Sequence, residues 1–187
     1  QGQRGTGFAR PQLAPPGGDA QRRGGAGLHQ AVGADIEGLV RALQREEAAP
    51  VAKGSGYIRE AMERICAKYP NVRFRELQNL SNLEYQYLTN NCDIYIDQLI
   101  WGFHGVAAIQ AMALEKPVLC YLHPDFLKYV SNPPIVNTNP DNLLNQLEAL
   151  IANPEKLPEI GKKSREYYLQ FHTPEKVAAQ LIAHYSA

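Results

Sequence analysis

From residue 51 to the carboxyl end, segments of helical apolar period alternate with short apolar runs of strand character, joined by links of only a few residues. Such alternation specifies layers of helices against a sheet, not an all-helical or all-β fold. The spacing predicts a helix from Ser55 to Lys68, with Ile58, Met62 and Ile65 on one face, and a strand from Val72 to Leu77. Ser81 with Glu84 three residues later is a capping box that opens a further helix. A buried strand is expected from Ile94 to Gln98, a helix from Val106 to Leu114, a central strand from Pro117 to Leu122 and a last short strand from Pro134 to Asn137. Pro140 is read as the first position of a helix running to about Ala152, and Pro154 and Pro174 as the starts of two more, the second capped by Thr173. A strand can return parallel to its predecessor only through a crossover of about a dozen residues, which each helix supplies. The expected architecture is therefore α/β, a doubly wound parallel sheet.

Residues 1–50 read differently: they carry 10 of the 15 glycines and 6 arginines but no lysine. Runs such as APPGG and RRGGAG have no apolar period to offset ordering entropy, so this segment is expected to be disordered, with one amphipathic helix over Asp35–Glu47 on Ile36, Leu39, Val40 and Leu43. The domain boundary is placed near residue 50, leaving 51–187 as the α/β domain. Nineteen basic against nineteen acidic residues provide no charge footprint for nucleic acid. The apolar stretches fall short of the roughly 18 residues a membrane span needs, so no integral membrane segment is expected. Cys66, Cys92 and Cys120 are widely spaced without a Cys-x-x-Cys pair; they are read as inert thiols of a cytoplasmic protein, and no metal site is expected. The chain starts at Gln1 rather than Met, which reads as a fragment.

In parallel α/β sheets ligands bind beyond the carboxyl ends of the strands. The strand ending near Asp97 is followed by LIWGFHG, residues 99–105, and then by a helix opening at Val106. Gly102 and Gly105 allow close backbone approach, and the free N–H groups of the helix start carry roughly half a positive charge. Such a place binds phosphate or diphosphate. Lys53-Gly54, just ahead of a helix, can bring an ammonium to the same anion if it lies on the same sheet edge. Taken alone, the two glycines are better explained by turn geometry; Lys53 and the resemblance set out below reverse that preference.

The stretch CDIYIDQLIWGFHGVAAIQAMALEKPVLCY, residues 92–121, resembles the donor-binding segment of retaining glycosyltransferases with the GT-B fold, group 1 or family 4-like: a strand, a Gly-rich loop, a helix with Glu-Ala-Met-Ala and a Gly-Lys-Pro-Val turn. Lys53-Gly54 with Tyr57, Ile58 and Ala61, and Pro134–Asn137 with the helix after it, are similar to further parts of the same carboxyl-terminal domain, so the resemblance covers about 51–187. It implies a Rossmann-like half of a GT-B enzyme, with a nucleotide-diphosphate sugar as substrate and partner and no cofactor or metal. On that resemblance Lys53 and the backbone of Gly105, Val106 and Ala107 hold the diphosphate, and Gln110 reaches the ribose. Glu76, Leu77, Gly102 and His104 lie near the base or sugar. Transfer would retain the anomeric configuration and would need an amino-terminal acceptor domain missing from this chain, so the chain by itself is expected to be inactive.

The sequence departs from that pattern at four places. Gln110 and Gly102 stand where relatives carry glutamates, and Glu115 stands at the usual helix-ending glycine, where φ > 0 is demanded. No strand is identified ahead of Lys53. A nucleotide- or phospholigand-binding module without chemistry, or a degenerate remnant, is the alternative these departures leave open. His104 either faces the sugar or covers the loop. His123 is read as a turn residue, Trp101 and Phe103 as packing, Asp97 as a bond to the loop, and Lys162, Lys163 and Arg165 as a solvated helix face. No catalytic residue is assigned.

Overall fold

A computed structural model describes the backbone of residues 40–45 and the whole of residues 53–186. Five parallel strands, β1 (Val40–Arg45), β2 (Val72–Leu77), β3 (Ile94–Ile96), β4 (Val118–Cys120) and β5 (Val136–Asn137), form one sheet in the order β2-β1-β3-β4-β5. The register sets Val40 beside Val72 and Arg45 beside Leu77 on one side of β1, and Ala42 beside Ile94 on the other. The connecting helices are α1 (Ser55–Lys68), α2 (Asn82–Asn90), α3 (Val106–Ala113), the single turn α4 (Pro124–Leu127), α5 (Leu143–Ile151), α6 (Leu157–Phe171) and α7 (Pro174–Tyr185). Helix α1 packs with α5 and α3 with α6. The core joins Ile58, Met62 and Ile65 of α1, Ile94 and Ile96 of β3, Leu119 of β4, and Leu143 and Leu147 of α5. Among the described residues no helix is long and apolar enough to cross a membrane.

The largest correction concerns β1. The segment Asp35–Glu47 is expected to be an isolated helix, yet Val40–Arg45 is a strand of the same sheet. It therefore belongs with the sheet although it precedes residue 51, and it is the strand not identified ahead of Lys53. Its partners are remote in the chain: pairing on both sides outweighs a local pattern that fits a helix as well. The remaining expectations for residues 1–39 lie outside the described residues.

Two smaller corrections follow from side chains that cap. Pro140 does not open α5, which starts at Leu143. Asn139 Oδ1 accepts from the Asp141 and Asn142 amides while Asn142 Oδ1 accepts from the Asn139 amide, so this paired asparagine turn delays the helix. Arg165 is not simply part of a solvated face, because its Nη1 donates to the Ala113 carbonyl at the end of α3.

The end of α3 also shows why residue 115 is demanding. The Glu115 amide donates to Met112 O and the Lys116 amide to Ala111 O, each at 3.1 Å, with Glu115 at φ 59°. This is a Schellman turn with glutamate at the position glycine favours, at a cost of about 1 kcal/mol. Gly161 of α6 presses on it, and a Cβ there would overlap the Glu115 carbonyl oxygen. Glu115→Gly is expected to raise stability by about 0.5–1 kcal/mol, and Gly161→Ala to lower it by about 1–3 kcal/mol. Thermal denaturation of the two variants checks both signs.

Candidate functional site

Strand order reverses between β1 and β3: from β1 the chain moves outward to β2, then returns past β1 to continue on the other side through β3, β4 and β5. At such a switch point the connections leaving the two strands run to opposite faces of the sheet, and ligands of parallel α/β sheets commonly bind beyond the carboxyl edge there. The chain from β1 arrives at Lys53-Gly54, and the chain from β3 makes the 99–105 loop. The two are in contact: the Leu99 amide donates to Lys53 O at 2.9 Å, and a Cβ on Gly54 would sit 3.3 Å from Leu99 Cβ. Lys53 is buried, and its charge and that of Asp97 both act on the Cys120 thiol. Lys53 therefore stands beside the start of the 99–105 loop.

Helix α3 begins at Gly105 with no side-chain cap. The Gly105 amide lies 3.4 Å from Asp97 Oδ2, while the Val106 and Ala107 amides have no protein partner among the described residues. Val106 is exposed and Ala107 buried. Gln110, one turn on, has a buried Oε1 with no hydrogen-bond partner among the described residues. Glu76, on the edge strand β2, pairs with Arg59 at 2.8 Å, and Leu77 is buried. The loop is fastened to the turn after β4, for the His123 amide donates to Gly102 O at 2.8 Å and the Tyr121 amide to Gln98 O at 2.9 Å. Gly102 has φ 83°, and a Cβ there would meet His123 Cβ at 2.8 Å. His123 caps α4 by accepting from the Asp125 amide. Sequence reasoning passed over Gln98, whose buried carboxamide bonds the loop from inside; the only signal was a polar residue closing an apolar strand.

No protein-family model matches the sequence, and no curated protein sequence matches it either. Solved structures do. The chain superposes on S. aureus TarM with a TM-score of 0.63 at 14% identity, covering 82% of this chain and 36% of that one. HepE from Anabaena, in complex with UDP and glucose, gives 0.61 at 14% identity over 87% of this chain and 51% of that one. The C-terminal domain of the group 1 glycosyl transferase LpcC from Francisella tularensis gives 0.56 at 12% identity over 73% of this chain and 87% of that one. The fold is that of a GT-B carboxyl-terminal domain. The chain spans about a third of the length of TarM and half that of HepE.

The 99–105 loop and the elements it meets are rich in aromatic contacts. Trp101 and Phe103 are partly exposed and stacked with centroids 5.7 Å apart, Phe103 leans on Phe126 at 6.3 Å, and His104 meets Phe126 and His172 edge-on at 5.3 and 5.4 Å. Both ring nitrogens of His104 are buried without a hydrogen-bond partner among the described residues. Burial, then the neighbouring charge of His172, pushes its pKa down to about 4; burial also lowers that of His172. Burial first, then the Asp97 carboxylate, raises the Cys120 thiol, which fits an inert packing role.

An unfolded histidine titrates near 6.5, whereas His104 in the fold stays neutral down to about 4. Between those values the unfolded chain binds more protons, so stability falls as pH drops through that window. Melting temperature measured from pH 7 to pH 4 is expected to decline, and to decline less steeply in His104→Phe.

Proposed function

We propose that the β1–β3 switch point holds the diphosphate of a nucleotide sugar and that this domain is the donor half of a retaining glycosyltransferase, the acceptor half being supplied from outside the described residues. The observation that carries this reading is the strand-order reversal between β1 and β3, which sets Lys53-Gly54 against the loop that leads into an uncapped helix start. An anion there meets the Val106 and Ala107 amides and the field of α3. Lys53 supplies the cation. Gln110 Oε1, buried and unpartnered, is suited to accept from a ribose hydroxyl. As the sugar leaves, charge grows on the diphosphate, and fixed dipoles with one lysine stabilise it without a divalent ion. The fold shared with HepE, whose structure holds UDP and glucose, supports the ligand class.

One observation favours a second reading, a binding module without chemistry. Relatives of the resemblance place a carboxylate at position 102, but here φ 83° and the 2.8 Å approach to His123 leave no room for a side chain. Donor-sugar contacts made by that carboxylate are absent. A sugar-transfer assay with this chain joined to an acceptor domain separates the two readings, since only an enzyme turns over.

Titration calorimetry with UDP, GDP and ADP tests what both readings share. One nucleotide is expected to bind, and Lys53→Met to weaken it roughly ten- to hundredfold, the worth of a hydrogen bond to a charged group. A flat response to all three nucleotides contradicts the donor site.

A further inference from the structure

We infer that Gln98 is the positioning residue that shapes the 99–105 loop before any ligand arrives. Its side chain is buried within the loop it serves. The carboxamide oxygen accepts from the Ile100 amide at 3.1 Å and the Trp101 amide at 2.6 Å. The nitrogen donates to the Phe103 carbonyl and, at 3.2 Å, to the Tyr121 carbonyl, and lies 3.4 Å from Cys120 Sγ. One group thus satisfies two amides at the loop's start and a carbonyl near its end, and ties both to the turn after β4.

Only a primary amide of this length does all of this. A carboxamide offers two lone pairs on one atom and two N–H groups on the other, matching two amides and two carbonyls. Glutamate keeps the shape but turns an acceptor toward the Phe103 and Tyr121 carbonyls. Methionine keeps the volume but leaves the part-buried Ile100 and Trp101 amides without their acceptor and the Phe103 and Tyr121 carbonyls with only the weak Cys120 thiol donor, at 3.8 and 3.7 Å. The backbone bonds Tyr121 N to Gln98 O and His123 N to Gly102 O close the same platform from outside. A loop held in this way meets its ligand already ordered, so binding does not lose affinity to loop ordering.

The consequence for affinity rests on the donor-site reading; the shaping of the loop does not. Hydrogen exchange of the ligand-free chain reads the second directly. In the wild type the Ile100 and Trp101 amides are expected to exchange at least tenfold more slowly than the Phe103 and His104 amides of the same loop. In Gln98→Glu and Gln98→Met that difference is expected to vanish while amides of α1 keep their protection. Nucleotide affinity is then expected to fall at least tenfold in both variants. Equal exchange along the loop of the wild type overturns the inference even if neither variant folds, as does unchanged protection and affinity in variants that do. A wild type with protected Ile100 and Trp101 amides that binds no nucleotide refutes the donor site and leaves the role of Gln98 standing.

Discussion

Parallel pairing of β1 with β2 on one side and β3 on the other is the constraint on which the rest of the molecule depends. Because β2 lies on one side of β1 and β3 to β5 on the other, the carboxyl ends of β1 and β3 form the topological switch point of the sheet. The switch point is a product of topology, present before any side chain is chosen. Sequence then decides what lines it: a lysine and glycine at the end of one path, a glycine-bounded loop and an uncapped helix start at the end of the other.

The two walls are joined firmly. Leu99 N bonds Lys53 O, Gly102 O receives His123 N, and Gln98 fills the loop with paired polar groups. A diphosphate bound as proposed would be recognised mainly by backbone, a mode that asks for no net positive charge on the chain. At Gly102 the positive φ and the close contact with the β4 turn require the absence of a side chain, so the fastening of the loop and the lack of a carboxylate at this position have one cause.

Much of the fold was legible in the sequence because its signals are local. The bounds of α1 and β2, the Ser81–Glu84 capping box, the Thr173 cap and the positive φ at residue 115 follow from periodicity and cap chemistry within one or two turns. Strand β1 was hidden because its stability comes from neighbours about thirty and fifty residues away, while its own apolar spacing fits a helix. The start of α5 was misread because Pro140 is a good first helical residue, but the Asn139–Asn142 pair forms a competing turn. Around the switch point, Lys53 and the α3 start could be named from glycine placement and helix polarity. Gln98 could not, since nothing in one sequence says whether a polar residue at a strand end faces solvent or backbone. The ring contacts of His104 with Phe126 and His172 likewise join residues far apart in the chain.

Amide chemical shifts followed by NMR during titration with UDP, GDP and ADP report directly on the atoms at issue. If an anion seats at the β1–β3 switch point, one of these nucleotides will shift the Gly54, Val106 and Ala107 resonances saturably and together, leaving those of α6 and α7 in place. Resonances at Val106 and Ala107 that stay fixed while other parts of the chain respond, or a spectrum indifferent to all three, would contradict the account.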